Sequence, residues 1–93
     1  AKGVISVTAN VAPKLVHDMV WAALDGNVSR ARNLHKKHYP LSKIVFVETN
    51  PIPVKTALGM MGLIKPELRL PLCEMKPENA KKLRSVLKSL KIV

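Results

Sequence analysis

The side chains able to do chemistry are few and scattered in this 93-residue chain. His35 and His38 stand three apart, which puts both imidazoles on one helical face and would let them share a metal ion. A metal site needs further ligands, and His17 belongs to another helix. The acids Asp18, Asp25, Glu48, Glu67, Glu74 and Glu78 complete no ligand pattern and form no pair for acid–base work. All three histidines therefore read as structural or surface groups, and no metal is expected. Cys73 has no histidine at a fixed spacing and lies between Pro71 and Glu74. A reactive thiolate wants a neighbouring cation or a helix N-terminus, so a half-buried, inert thiol is expected here. Lys55 follows two prolines in an apolar setting suggestive of imine chemistry. Such a lysine must be desolvated to lose its proton, and at a helix start it reads as structural. The four glycines build no phosphate-cradling loop. From its own residues, this chain carries no catalytic machinery and calls for no cofactor.

The charge is the next candidate signal. The formal net charge is +10, and residues 76–93 hold six of the sixteen Lys/Arg against one of the six acids. A free-standing basic helical module that binds nucleic acid is one reading, with Lys81, Lys82, Arg84, Lys88 and Lys91 on phosphates. Readers of bases add Arg or Asn contacts, or aromatics for stacking; this stretch has one Arg and no aromatic. A solvated face opposite a leucine stripe is the better reading. That stripe, Leu83, Leu87 and Leu90, is also a possible dimer seam. The longest wholly apolar run, Met19–Leu24, falls far short of the ~20 residues that cross a bilayer. No membrane partner is expected. The single cysteine excludes an internal disulfide and fits a reducing cytosol, so a cytoplasmic location is expected.

The elements that would position these groups follow from pattern and punctuation. Val4-Ile5-Ser6-Val7-Thr8 is β-branched and nearly continuously apolar, as in a parallel strand covered on both faces. Pro13 and Gly26 bracket a helix whose stripe is Leu15, Val16, Met19, Val20, Ala23 and Leu24. Asn27 caps a second helix, predicted over 28–48 and kinked near Pro40, with Ala31, Leu34, His38, Leu41 and Val45 on one face. Asn50-Pro51-Ile52-Pro53 must be extended, because each residue before a proline is pushed out of the α region. A short helix then runs to Gly62, residues 63–75 form a loop, and Pro77 opens the last helix. One strand among four helices cannot pair its own backbone, which marks the chain as part of a larger sheet protein.

One stretch is more specific than the rest. Asn50-Pro51-Ile52-Pro53-Val54-Lys55 spends two prolines on a turn that exposes the Asn50 side chain. With Gly3-Val4-Ile5-Ser6-Val7-Thr8-Ala9-Asn10 before it and Leu68-Arg69-Leu70-Pro71-Leu72 after it, the order resembles the dihydrodipicolinate synthase family of pyruvate-dependent aldolases. Thr49 departs from the pattern, since many members carry another proline there. The resemblance implies an α/β protein, a TIM (β/α)8 barrel with a mostly α-helical C-terminal domain. Residues 1–26 would be the last β/α unit of the barrel and residues 27–93 the helical domain. It also implies a lyase of lysine and diaminopimelate biosynthesis that condenses pyruvate, held as a lysine Schiff base, with aspartate semialdehyde. The partners implied are those two substrates, the remainder of the barrel, and copies of the same chain in a tetramer or dimer. By the same resemblance the main chain at Ile5 lines the pyruvate pocket and Asn50 sits at its mouth, both as substrate-binding positions. The imine-forming lysine would lie upstream, leaving no catalytic residue in this segment.

Overall fold

In the computed structural model, which describes residues 1–93, the punctuation residues act where the sequence places them. The first helix, α1 (Pro13–Leu24), opens on a proline that gives up an N–H with no intrahelical partner. It closes at Gly26, whose φ of +79° is open to a residue without Cβ. There Asn27 N–H donates to the Ala22 carbonyl at 2.8 Å and Gly26 N–H to the Ala23 carbonyl at 3.1 Å. These are the two bonds of a Schellman cap. Asn27 then starts α2 (Val28–Ile44), its Oδ1 accepting from Arg30 N–H at 3.1 Å.

α2 continues through Pro40. Proline there removes one backbone hydrogen bond, but Leu41 and Val45 immediately beyond it are completely buried and hold the last turn to the core. The helix stops at Ile44 rather than residue 48. Phe46 and Val47 donate to the Lys43 and Ile44 carbonyls in tighter i→i−3 bonds, and the Glu48 side chain is engaged elsewhere.

α3 (Ile52–Met60) grows out of the two-proline turn, in which Ile52 N–H donates to the Thr49 carbonyl at 2.9 Å and the Asn50–Pro51 peptide is cis; Ile52 and Pro53 are the first helical residues rather than extended ones. A second Schellman cap ends it at Gly62. Residues 63–75 carry neither helix nor strand, as expected, and end in the buried Met75. α4 (Pro77–Ser89) closes with a third cap of the same kind, in which Lys91 adopts a φ of +58° where the other two use glycine.

The core joins Val11 from the N-terminal side, Leu41 of α2 and Val45 at its C-cap, Ile52, Val54 and Ala57 of α3, Met75, and Leu83 and Leu87 of α4. Leu83 and Leu87 have no exposed surface. The leucine stripe of α4 is therefore satisfied by α2 and α3 of its own chain, which overturns the dimer seam that its spacing suggested.

The N-terminal strand is the second correction. Residues 1–6 have no regular structure, and residues Thr8–Asn10 form one 3-10 turn. Ile5 is fully exposed and Val4 is 63 % exposed. A strand exists only through hydrogen bonds to a neighbouring strand, and these 93 residues offer none. The same shortage shows on α1, where Val16 is buried but Ala23 and Leu24, on the same apolar stripe, are exposed.

Candidate functional site

Two positions define the candidate site, and the fold holds them on different elements. Asn50 lies in the turn between α2 and α3, exposed, with its side-chain amide making no hydrogen bond within the chain. The turn beneath it is well anchored, because Ile52, Pro53 and Val54 directly after it are buried in the core. α3 also packs against the 3-10 turn Thr8–Asn10. Ile5 lies three residues before that turn, fully exposed, at the edge of a cleft of about 240 Å³ that Ser6, Thr8, His38 and Phe46 also line. The chain thus brings the α3 end of one segment against the residues that follow the other. It shows no direct contact between Asn50 and Ile5.

The other sequence candidates fall away from this region or stay chemically quiet. On α2 the rings of His38 and Tyr39 each lie tilted against His35, with centroids 6.0 Å from it. No third His, Cys, Asp or Glu stands near enough to complete a metal site. His38 is half-buried with its Nδ1 unpartnered; burial, and secondly the nearby His35, pull its pKa below 6.5. His17 is exposed, 3.3 Å from Asp18, and Asp18 also accepts from Lys14 Nζ at 2.7 Å. The Lys14 hydrogen bond, then that of His17, lowers the Asp18 pKa from 3.8. These are surface pairs on α1. Lys55 sits in the first turn of α3 without an ion pair. Cys73 is exposed rather than half-buried, because its loop presents Leu72 and Met75 to the core on either side of it. No helix is long and apolar enough to cross a membrane.

Glu48 is the residue that sequence reasoning passed over. One oxygen, Oε2, accepts from the Lys76 backbone N–H at 2.9 Å and from Asn79 Nδ2 at 2.8 Å. Both donors belong to the start of α4, about thirty residues away in the chain. Its place two residues before Asn50 was the only signal available.

A groove of about 480 Å³ opens between the N-terminal segment, α1 and α2, lined by Gly3, Val4, Val20, Ala23, Leu24 and Val28 among others. The irregular N-terminal segment thus lies beside an uncovered face of α1. The chain has the anatomy of a piece of an α/β barrel protein carrying a helical appendage. It belongs to the dihydrodipicolinate synthetase family, whose sequence profile matches residues 1–90. Over 92 residues it is 58 % identical to 4-hydroxy-tetrahydrodipicolinate synthase of Methanocaldococcus jannaschii, covering 99 % of this chain and 32 % of that protein. The crystal structure of dihydrodipicolinate synthase from Aquifex aeolicus superposes with a TM-score of 0.96 at 54 % identity, over 99 % of this chain and 31 % of the other. That of the chloride-inhibited enzyme from Acinetobacter baumannii, complexed with pyruvate, does so with a TM-score of 0.96 at 43 % identity, over 100 % and 32 %. The chain therefore spans about a third of the length of the relatives it matches. The resemblance carried by Asn50–Lys55 and the α/β barrel fold class are both borne out. Nothing among these relatives supports the nucleic-acid reading of the basic α4 face.

Proposed function

We propose that this chain is the C-terminal third of a dihydrodipicolinate synthase, a lyase that joins pyruvate to aspartate semialdehyde in lysine and diaminopimelate biosynthesis. Pyruvate is held as a Schiff base on a lysine outside these residues. Residues 1–26 are the last β/α unit of the barrel and residues 27–93 the helical C-terminal domain. The Ile5 main chain lines the pyruvate pocket, and the free Asn50 amide faces the mouth. The whole enzyme is a cytoplasmic homo-oligomer, a tetramer or dimer.

The observation that carries this reading is the 58 % identity over nearly the whole chain to one named synthase, in a chain that carries the Asn50-Pro51-Ile52-Pro53-Val54-Lys55 turn. The geometry is compatible. Asn50 is exposed and unpaired over a buried, rigid base, and the unpaired backbone of residues 1–6 can still enter a sheet.

The test uses the full-length parent protein, treated with pyruvate and borohydride and digested. The reduced adduct is expected on a peptide outside residues 1–93. An adduct on Lys55 would refute the assignment of the nucleophile, and absence of any adduct would refute the Schiff-base reading.

A further inference from the structure

Glu48 belongs to neither the core nor the candidate site, yet it is the only residue of the α2–α3 connection that reaches another element by hydrogen bonding. From Val45 to Pro51 the remaining backbone hydrogen bonds all run within α2, within the turn or into α3. The Glu48 carboxylate instead crosses to α4, where Lys76 is the N-cap and Pro77 the first helical residue. In a capping box the third helical residue accepts from the N-cap N–H. Here that third residue is Asn79, a donor in this contact, and Glu48 supplies the acceptor for both groups. The carboxylate also stands at the positive end of the α4 dipole, where negative charge is favoured. α4 is in turn fixed through Leu83 and Leu87, neither of them exposed.

We propose that Glu48 is a positioning residue for Asn50. It fastens the strand of chain entering the two-proline turn to the start of α4, so the Asn50 amide is presented in one place. Ile52 and Val54 hold the turn from its C-terminal side, and Glu48 holds it from the N-terminal side. The proposal rests on the reading of Asn50 as a substrate-binding residue.

The experiment is a kinetic comparison on the full-length enzyme. Asn50→Ala identifies which substrate, pyruvate or aspartate semialdehyde, suffers a raised KM. Glu48→Ala is expected to raise the KM of that same substrate about tenfold, the scale of one hydrogen bond to a charged group. Glu48→Gln, which keeps an oxygen acceptor, should recover most of the loss. Asn79→Ala removes one of the two donors and should shift the same KM in the same direction by less. The double variant Glu48→Ala/Asn50→Ala should be no worse than Asn50→Ala alone, since both act through one contact. A Glu48→Ala enzyme that melts earlier but keeps wild-type KM values refutes the positioning role and leaves the Asn50 assignment intact. So does a doubly substituted enzyme whose losses simply add. An Asn50→Ala enzyme with wild-type kinetics refutes both.

Discussion

The surroundings of His38 disfavour its charged form: it is half-buried on α2, its Nδ1 is unpartnered, and His35 stands beside it. The residues lining the adjoining cleft from the N-terminal segment and from α2, among them Val4, Val7, Ser42 and Phe46, bring no compensating acid. Its pKa is lower folded than the 6.5 of the unfolded chain. As pH falls through 6.5 the unfolded chain takes up the proton first, so stability is complete above that value and declines below it. The urea midpoint of the full-length protein should therefore fall between about pH 7 and about pH 5, and His38→Gln should flatten that slope. An identical slope in the variant would remove His38 as its source. Lys91 presents the opposite opportunity. It occupies, at a φ of +58°, the cap position that Gly26 and Gly62 fill after α1 and α3. A left-handed non-glycine residue costs about 1 kcal/mol, so Lys91→Gly should stabilise the protein by up to about that amount, read as a raised Tm.

At the level of elements, α4 is held by apolar burial and its basic face is free of structural duty. Leu83→Ala should cost about 2–5 kcal/mol in denaturant unfolding, because Leu83 has no exposed surface and its neighbours come from several elements. Lys81→Gln, on the exposed side, should stay within about 0.5 kcal/mol. The contrast explains what could be read from sequence. Helix starts and stops set by Pro13, Gly26, Asn27, Gly62 and Pro77 are local events, and each acts within a few residues of its position. The end of α2 was missed by four residues because the segment after it is tied to α4 by a hydrogen bond spanning 28 residues. Spacing identified the Leu83/Leu87/Leu90 stripe but not its partners, which are α2 and α3 rather than a second chain. The turn that exposes Asn50 was legible because two prolines force it, whereas the cross-link at Glu48 depends on a contact that no local pattern encodes.

The whole molecule carries more surface than its mass calls for. A folded chain of 10.3 kDa exposes about 5,400 Å² by the usual scaling, whereas this one exposes 6574 Å². Its radius of gyration is 14.0 Å against about 12 Å for a compact domain of this length, and its longest dimension is 42 Å. The excess is not spread evenly. It includes the irregular N-terminal residues and the α1 groove, where Val4, Leu24 and Val28 are each about half exposed or more. An apolar face this open is a docking surface, and on the proposed reading the rest of the barrel covers it. Ala23, in the middle of that face and exposed, makes the difference measurable. On an open helix surface, Ala23→Glu would change stability by no more than about 0.5 kcal/mol. Beneath a barrel sheet the same substitution buries an unpaired carboxylate and should cost several kcal/mol, about 3 or more. The full-length protein bearing Ala23→Glu should therefore unfold at a much lower denaturant concentration or fail to accumulate in soluble form. Asp25→Ala, just beyond the face, should leave both properties nearly unchanged. Equal tolerance of the two substitutions would mean that α1 keeps its apolar face in water, and the assignment of residues 1–26 to a barrel would fall with it.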